Sequence, residues 1–209
     1  MGVTFPLLVH LVLNGLVLGT LYVLLASGLS LIFGVMSVLN LAHGALFMWG
    51  AYVGLEAFQR TGNFWLALVA GAVAGALIGV IAEQVTVRFL YGRHLQQILL
   101  TLGLMLVLGE LLQLVWGPTL HRFPVPAFAQ GVTFILDYPF AKYRVLVLAA
   151  GAVVLVGMLL LLHRTKLGII VRAGVENSEM VQALGVNVSR VFTLVFALGA
   201  ALAALGGVL

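Results

Sequence analysis

Hydrophobic positions along this chain come in long unbroken runs, not in the alternating or one-sided patterns of a water-soluble domain. From Met1 to Leu55 there is no Asp, Glu, Lys or Arg. About 20 apolar residues of helix cross a bilayer. Runs of that kind predict spans over Phe64–Ile81, Ile98–Trp116, Val145–Leu162 and Val191–Leu209. The opening block, Leu7 to Phe58, is too long for one span and awkward for two. Its interior polar groups and glycines (Gly28, Gly34, Gly44) predict one long helix, a break near Val38–His43 and a second helix over Gly44–Phe58, with three crossings left open.

Composition sharpens the class. Hydrophobic residues are 63% of the 209 and charged residues 8%, against about 45–50% and about 25% in soluble domains. So few charges cannot coat a water-facing surface, and the fold class is all-α: a polytopic transmembrane helical bundle with a broken or re-entrant segment near residues 38–44. A membrane β-barrel would alternate polarity in segments of about ten residues, and these runs do not. The N-terminal run has no Lys or Arg ahead of it and leads into no polar domain, so it reads as a membrane segment rather than a signal peptide. The closing run stops on Gly207-Val208-Leu209 with no polar flank, as a helix does when C-terminal helices are missing beyond it.

Charge sets orientation. The connections Val85–Gln97 and His163–Arg190 share one side by parity and carry Arg88, Arg93, Arg164, Lys166, Arg172 and Arg190. Gln59–Asn63 and Gly117–Arg144 share the other, and the basic residues there are Arg60, Arg122, Lys142 and Arg144, offset in part by Asp137. The excess of Lys and Arg assigns the first pair to the cytoplasm. Scattered in this way, the basic residues build no clustered patch of the kind a nucleic acid needs. Cysteine is absent, which excludes a disulfide framework and a thiolate metal site. His43 shares no helix spacing with the histidines at 10, 94, 121 and 163, so no metal or other cofactor is expected.

Small residues recur at helical spacing. Ala67, Gly71, Gly75 and Gly79 line one face of their span, and Gly199, Ala203 and Gly207 do the same in the last one. Such stripes let two backbones approach closely, within one chain or between subunits. Three polar positions interrupt the apolar runs. Glu110 lies well inside Ile98–Trp116, where a carboxylate costs at least ~2.5–3.5 kcal/mol unless it faces the bundle interior, water or a partner. It reads either as an acid lining a pathway or as a hydrogen-bonded structural acid. Asn40 and His43, followed by Gly44, read either as groups lining a protein-enclosed cavity at a helix break or as marks of an interfacial turn. Glu83, at the inner end of its helix, reads as a boundary charge.

The connection after His163 is the most structured. Asn177 or Ser178 can cap a short helix, Glu179 falls in its first turn and Gly185 ends it. Met180, Val181, Ala183 and Leu184 give that helix an apolar side with nothing local to cover it, suited to a groove on a partner or to lipid headgroups. No phosphate-binding loop, H-E-x-x-H or G-x-S-x-G motif occurs, and no catalytic constellation stands out.

At this point larger blocks become informative. NGLVLGTLYVLLASGLSLIFGVMSVLNLAHGALFMWGAY, from Asn14, resembles the N-terminal signature of branched-chain amino acid ABC transporter permeases. RTKLGIIVRAGVENSEMVQALGVNVSRVFTLVFALGAALAALGGVL, from Arg164, resembles the same family's cytoplasmic loop and next helix, and WGPTLHRFPVPAF its external loop. The Asn-Leu-Ala-His-Gly form points to the first of the two permease types in that high-affinity system. The resemblance implies one transmembrane permease domain over 1–209, incomplete at its C-terminus, with an ATPase-coupling loop at 164–190. It implies two cytoplasmic ATPase subunits, a second homologous permease subunit, a periplasmic or lipid-anchored substrate-binding protein and a multi-pass place in the bacterial inner membrane. Glu179 and Gly185 keep the family's Glu-Ala-Ala-x-x-x-Gly spacing while the two alanines are replaced. On this reading Asn40, His43, Gly44 and Glu110 line the pathway, and the chain itself is no enzyme. A urea or short-amide permease of the same family, and an ATP-independent channel or secondary transporter, are the alternatives.

Overall fold

The computed structural model describes residues 5–119, 121–135, 138–176 and 178–209. They form α1 (Phe5–Met36), α2 (His43–Thr61), α3 (Phe64–Val85), a 3-10 turn (Val87–Leu90), α4 (His94–Trp116), a second 3-10 turn (Ala127–Ala129), strands β1 (Val132–Ile135) and β2 (Tyr138–Ala141), then α5 (Lys142–Arg164), α6 (Lys166–Glu176), α7 (Ser178–Ala183) and α8 (Val188–Val208). Five helices, α1, α3, α4, α5 and α8, are long and apolar enough to cross a membrane. The chain is an all-α, multi-pass membrane bundle. Its first block is two helices and not three: α1 runs unbroken for 32 residues, and the chain is irregular from Ser37 to Ala42 before α2 begins.

Local chemistry fixes several boundaries. Gly62, at φ 67°, ends α2 with its N–H on Phe58 O, and Asn63 starts α3 by accepting from the amides of Trp65 and Leu66, the usual division of labour between a left-handed glycine and a capping asparagine. Asn187 caps α8 in the same way, accepting from the Arg190 amide. Gly185, at φ 83°, closes α7. Asn177, and the side chains of Ser178 and Glu179, lie outside the described residues, as do Leu120 and Asp137.

The core is α8 enclosed by α1, α2 and α3. Its seams are lined with missing side chains. A Cβ on Gly75 would lie 2.3 Å from Ala204 Cβ, one on Gly79 2.5 Å from Ala200 Cβ, and one on Gly71 2.8 Å from Gly50 O. Gly199 meets Gly28 O at 2.7 Å and Gly207 meets Phe47 O at 2.1 Å by the same construction. At such distances only hydrogen fits, so the helices touch backbone to backbone. The small-residue stripes are thus used inside this chain. By contrast α4 buries only Gln97, Thr101, Leu108 and Leu112, and α5 only Val147 and Gly151.

One end of the bundle carries the β1–β2 hairpin, in which Val132 pairs with Ala141 and Phe134 with Pro139. The sequence pattern did not predict this hairpin: Pro139, which has no amide proton to donate, counts against a strand unless it sits at an edge. Aromatic contacts tie this end together: His10 rests on Phe140 of the hairpin, while Tyr52 meets Trp116 and His121, Phe58 and Phe64 meet Phe123, and Trp65 stacks on Phe128 in the loop before it. The N-terminal end of α1 therefore shares this hairpin end. Met36, Ser37, Tyr91, Gly92 and Glu176 line a single cleft at the opposite, basic end. The loop parity read from the sequence holds.

Candidate functional site

Residues 37–42 form a non-helical strap that re-enters the bundle. α1 closes with Ser37 N–H on Phe33 O at 2.8 Å. Ser37 itself takes φ 53°, the only positive φ outside glycine among the described residues, a conformation that costs an L-residue roughly 1–2 kcal/mol. Burial then alternates: Val38, Asn40 and Ala42 face inward, and Ser37, Leu39 and Leu41 outward. Val38 is fully buried beside Val87 and Phe196 in the core. The strap climbs back along α1 until His43 Nε2 meets Leu25 O at 3.0 Å. Leu25 is eleven residues before Met36, so α2 begins about 16 Å inside the basic end of the bundle.

Non-helical backbone at that depth must find partners within the protein. Thr101 supplies two. Its hydroxyl accepts from Leu41 N–H at 3.2 Å, and its own proton faces Leu39 O at 3.3 Å and Ile98 O at 3.2 Å. Asn40 supplies a third: its Oδ1 accepts from Ala42 N–H at 3.1 Å, while its backbone carbonyl accepts from His43 N–H. The Leu25 carbonyl can only accept, so His43 Nε2 carries a proton, and Nδ1 is bare in the neutral ring. Room for that ring exists because residue 28 is glycine; a Cβ there would lie 3.1 Å from two of its atoms.

Asn40, His43, Gln97 and Thr101 are each 3% exposed or less. Asn40 Nδ2, His43 Nδ1 and both polar atoms of Gln97 have no protein partner. Each orphaned buried group costs about 1–3 kcal/mol, and such groups are rare in a native interior, which makes this cluster the candidate site. Gln97 also lines an open 430 Å³ groove on the outer side of the strap, with Phe33, Ser37, Leu39, His94 and Ile98.

The other residues singled out from the sequence are placed differently. Gly44 is exposed in the first turn of α2, and a Cβ there would meet nothing within 4 Å. Glu110 is exposed on α4. It lies nine residues from Thr101, about half a turn around the helix and about 13 Å along it, so the structure does not bring it to Asn40 and His43. Glu83 is a correction: it is no boundary charge but is wholly buried. In α7, Val181 is buried, while Met180 and Leu184 are 62% and 78% exposed; Ala183 and Gly185 are also exposed. Thr101 and Gln97 were missed. Their signal was present: spaced four apart, they share a helix face with Leu108 and Leu112, the stripe that α4 buries.

A family model described as the permease component of branched-chain amino acid transport systems matches residues 11–209. The chain belongs to that family. This permease is 28% identical to the high-affinity branched-chain amino acid transport system permease protein BraD of Pseudomonas aeruginosa, over 94% of this chain and 68% of the relative. It is 30% identical to the permease protein LivH of Escherichia coli K12 over the same shares. It is also 30% identical to a probable LivH of Methanocaldococcus jannaschii, covering 64% of that relative. No solved structure matches. The re-entrant strap therefore lies within the permease region that these relatives share.

Proposed function

We propose that this permease is the membrane-spanning subunit of an ATP-driven importer for branched-chain or other hydrophobic amino acids in the bacterial inner membrane. It pairs with a second permease subunit, receives substrate at the hairpin end from a periplasmic or lipid-anchored binding protein, and is driven at the basic end by two ATPase subunits. The observation that carries this reading is the strap: a discontinuous helix whose buried Asn40, His43 and Gln97 keep unpartnered polar atoms deep in an apolar bundle. Groups of that kind are retained where a polar solute must pass. Asn40, His43 and the Gly44 turn line the pathway, and Glu110, on the uncovered face of α4, meets it where the second permease packs. The segment from Glu179 to Gly185, most of α7 and the turn that closes it, docks the ATPase, with Met180 and Leu184 as its apolar contacts.

The test is uptake of labelled leucine into proteoliposomes holding this chain with the permease, ATPases and binding protein encoded beside it. Uptake is expected only with ATP on the basic side. Uptake that persists without the ATPases and collapses with an ion gradient would make the chain a secondary transporter. Competition by urea but not by isoleucine would reassign the substrate to short amides.

A further inference from the structure

Glu83 sits in the last turn of α3, 0% exposed. A buried carboxylate loses its hydration and persists only where donors replace the water. Among the described residues no Lys, Arg or His makes a salt bridge to it. Two hydroxyls meet it instead. Tyr91 donates to Oε1, and Thr193 donates to Oε2 at 2.7 Å, with Ser189 O as its longer alternative at 3.1 Å. Burial and the Glu83 charge hold the Tyr91 phenol far above the usual range, so it remains a donor at any physiological pH.

The two donors lead in opposite directions. Thr193 lies in the second turn of α8, eight residues after Gly185, the glycine that closes the α7 segment. Tyr91 lies between the first 3-10 turn and α4, ten residues before Thr101, which holds Leu39 and Leu41 of the strap. Tyr91 also packs edge-on against Phe192, ring centroids 5.2 Å apart. The 460 Å³ cleft beside them has Tyr91, Phe192 and Glu176 on its wall, together with Met36 and Ser37, where the strap leaves α1. Open space is therefore present beside Tyr91, one of the two donors to Glu83.

We propose that Glu83 is a positioning residue that makes α7 displacement and strap displacement one event, by tying Thr193 of α8 and Tyr91 ahead of α4 to a single buried carboxylate. This rests on the reading of α7 as the ATPase-docking segment. The hydrogen-bonded contact runs from Thr193 of α8 through Glu83 to Tyr91, ahead of α4, and its energetic coupling is what the experiment measures.

In the reconstituted transporter, Tyr91→Phe and Thr193→Val each raise ATP hydrolysed per leucine imported, by about 2- to 30-fold. The double variant adds little to the larger single effect, because both act through one group. Glu83→Gln, whose amide accepts from one hydroxyl and donates to the other, stays nearer to wild type than Glu83→Leu. A purely structural role would lower the yield of assembled complex and leave the ATP-to-leucine ratio unchanged. Unchanged ratios in assembled Tyr91→Phe and Thr193→Val proteins, or strictly additive effects, would overturn the proposal. Should Glu83→Leu not assemble, these two hydroxyl deletions decide it. Wild-type uptake that needs no ATP would instead refute the transporter reading itself.

Discussion

Along the α3–α8 seam, backbones meet because side chains are absent; along residues 37–42, a backbone is held because side chains are present. Over its glycine stretch the seam has Gly71, Gly75 and Gly79 facing Ala200, Ala204 and Val208, and its polar contact, Thr193 on Glu83, comes only at the basic end. Every backbone bond there stays inside its own helix, so the seam needs only shape. The strap has left its helix, and its amides depend on one threonine hydroxyl and one asparagine carbonyl. Dense van der Waals contact has no nearby alternative arrangement, whereas a few long hydrogen bonds can be exchanged for others or for water. The seam is the frame, and the strap is the part able to change.

The largest expected effect comes from filling the seam. Gly75→Leu drives a side chain into Ala204 and Ala200 O, and overpacking of that kind costs about 1–3 kcal/mol or more. Little monodisperse protein should be recovered in detergent, and a normal melting midpoint would show the seam to be soft. Next come the strap's buried polar groups. Asn40→Leu and His43→Leu should leave yield near normal while uptake falls by about 5- to 150-fold; normal uptake in both would return these residues to a turn with no part in transport. Thr101→Val, which strips the Leu41 amide of its acceptor, costs about 1–3 kcal/mol locally. It should raise the alkylation rate of a cysteine placed at Leu39, and Thr101→Ser should restore protection. The smallest effect belongs to Gly103→Ala on the open side of α4, where a Cβ meets nothing within 4 Å. Its melting midpoint should match wild type within about 0.5 kcal/mol; a large drop would mean that this face is packed in the assembled protein.

Much of the frame was legible because its information is local. Apolar run length predicted the helices, and four-residue glycine spacing predicted the close seams. The break was legible from Asn40 and His43, which an apolar helix cannot absorb. Its depth was not, because depth depends on where Leu25 and Thr101 stand in other helices. Thr101 and Gln97 escaped because neither is charged, and a hydropathy average over α4 hides them; the helix phase they share with Leu108 and Leu112 would have exposed them. That same phase argument separates them from Glu110, whose charge drew attention to the opposite face. Glu83 was misjudged for a related reason: a carboxylate near a helix end reads as solvated until its two hydroxyl partners, one of them 110 residues away, are brought to it by the fold. The second helix of the basic loop, α6, was also absent from the sequence reading. Its stripe was nonetheless present: Leu167, Ile170 and Val171 stand at helical spacing, with Val171 buried and Leu167 packed against the core.

α1 has a further consequence. Its 32 residues measure about 48 Å, while the hydrocarbon layer is about 30 Å thick. Tilting by about 20° recovers only a few ångströms of that excess. Both ends of α1 must then stand in the headgroup zones, the first near the hairpin where His10 touches Phe140 and Asn14 meets Arg144, the last where the strap begins. About 18 Å of this helix is then divided between the two headgroup zones, so the strap starts outside the hydrocarbon, and its path back to Leu25 is an entry into it.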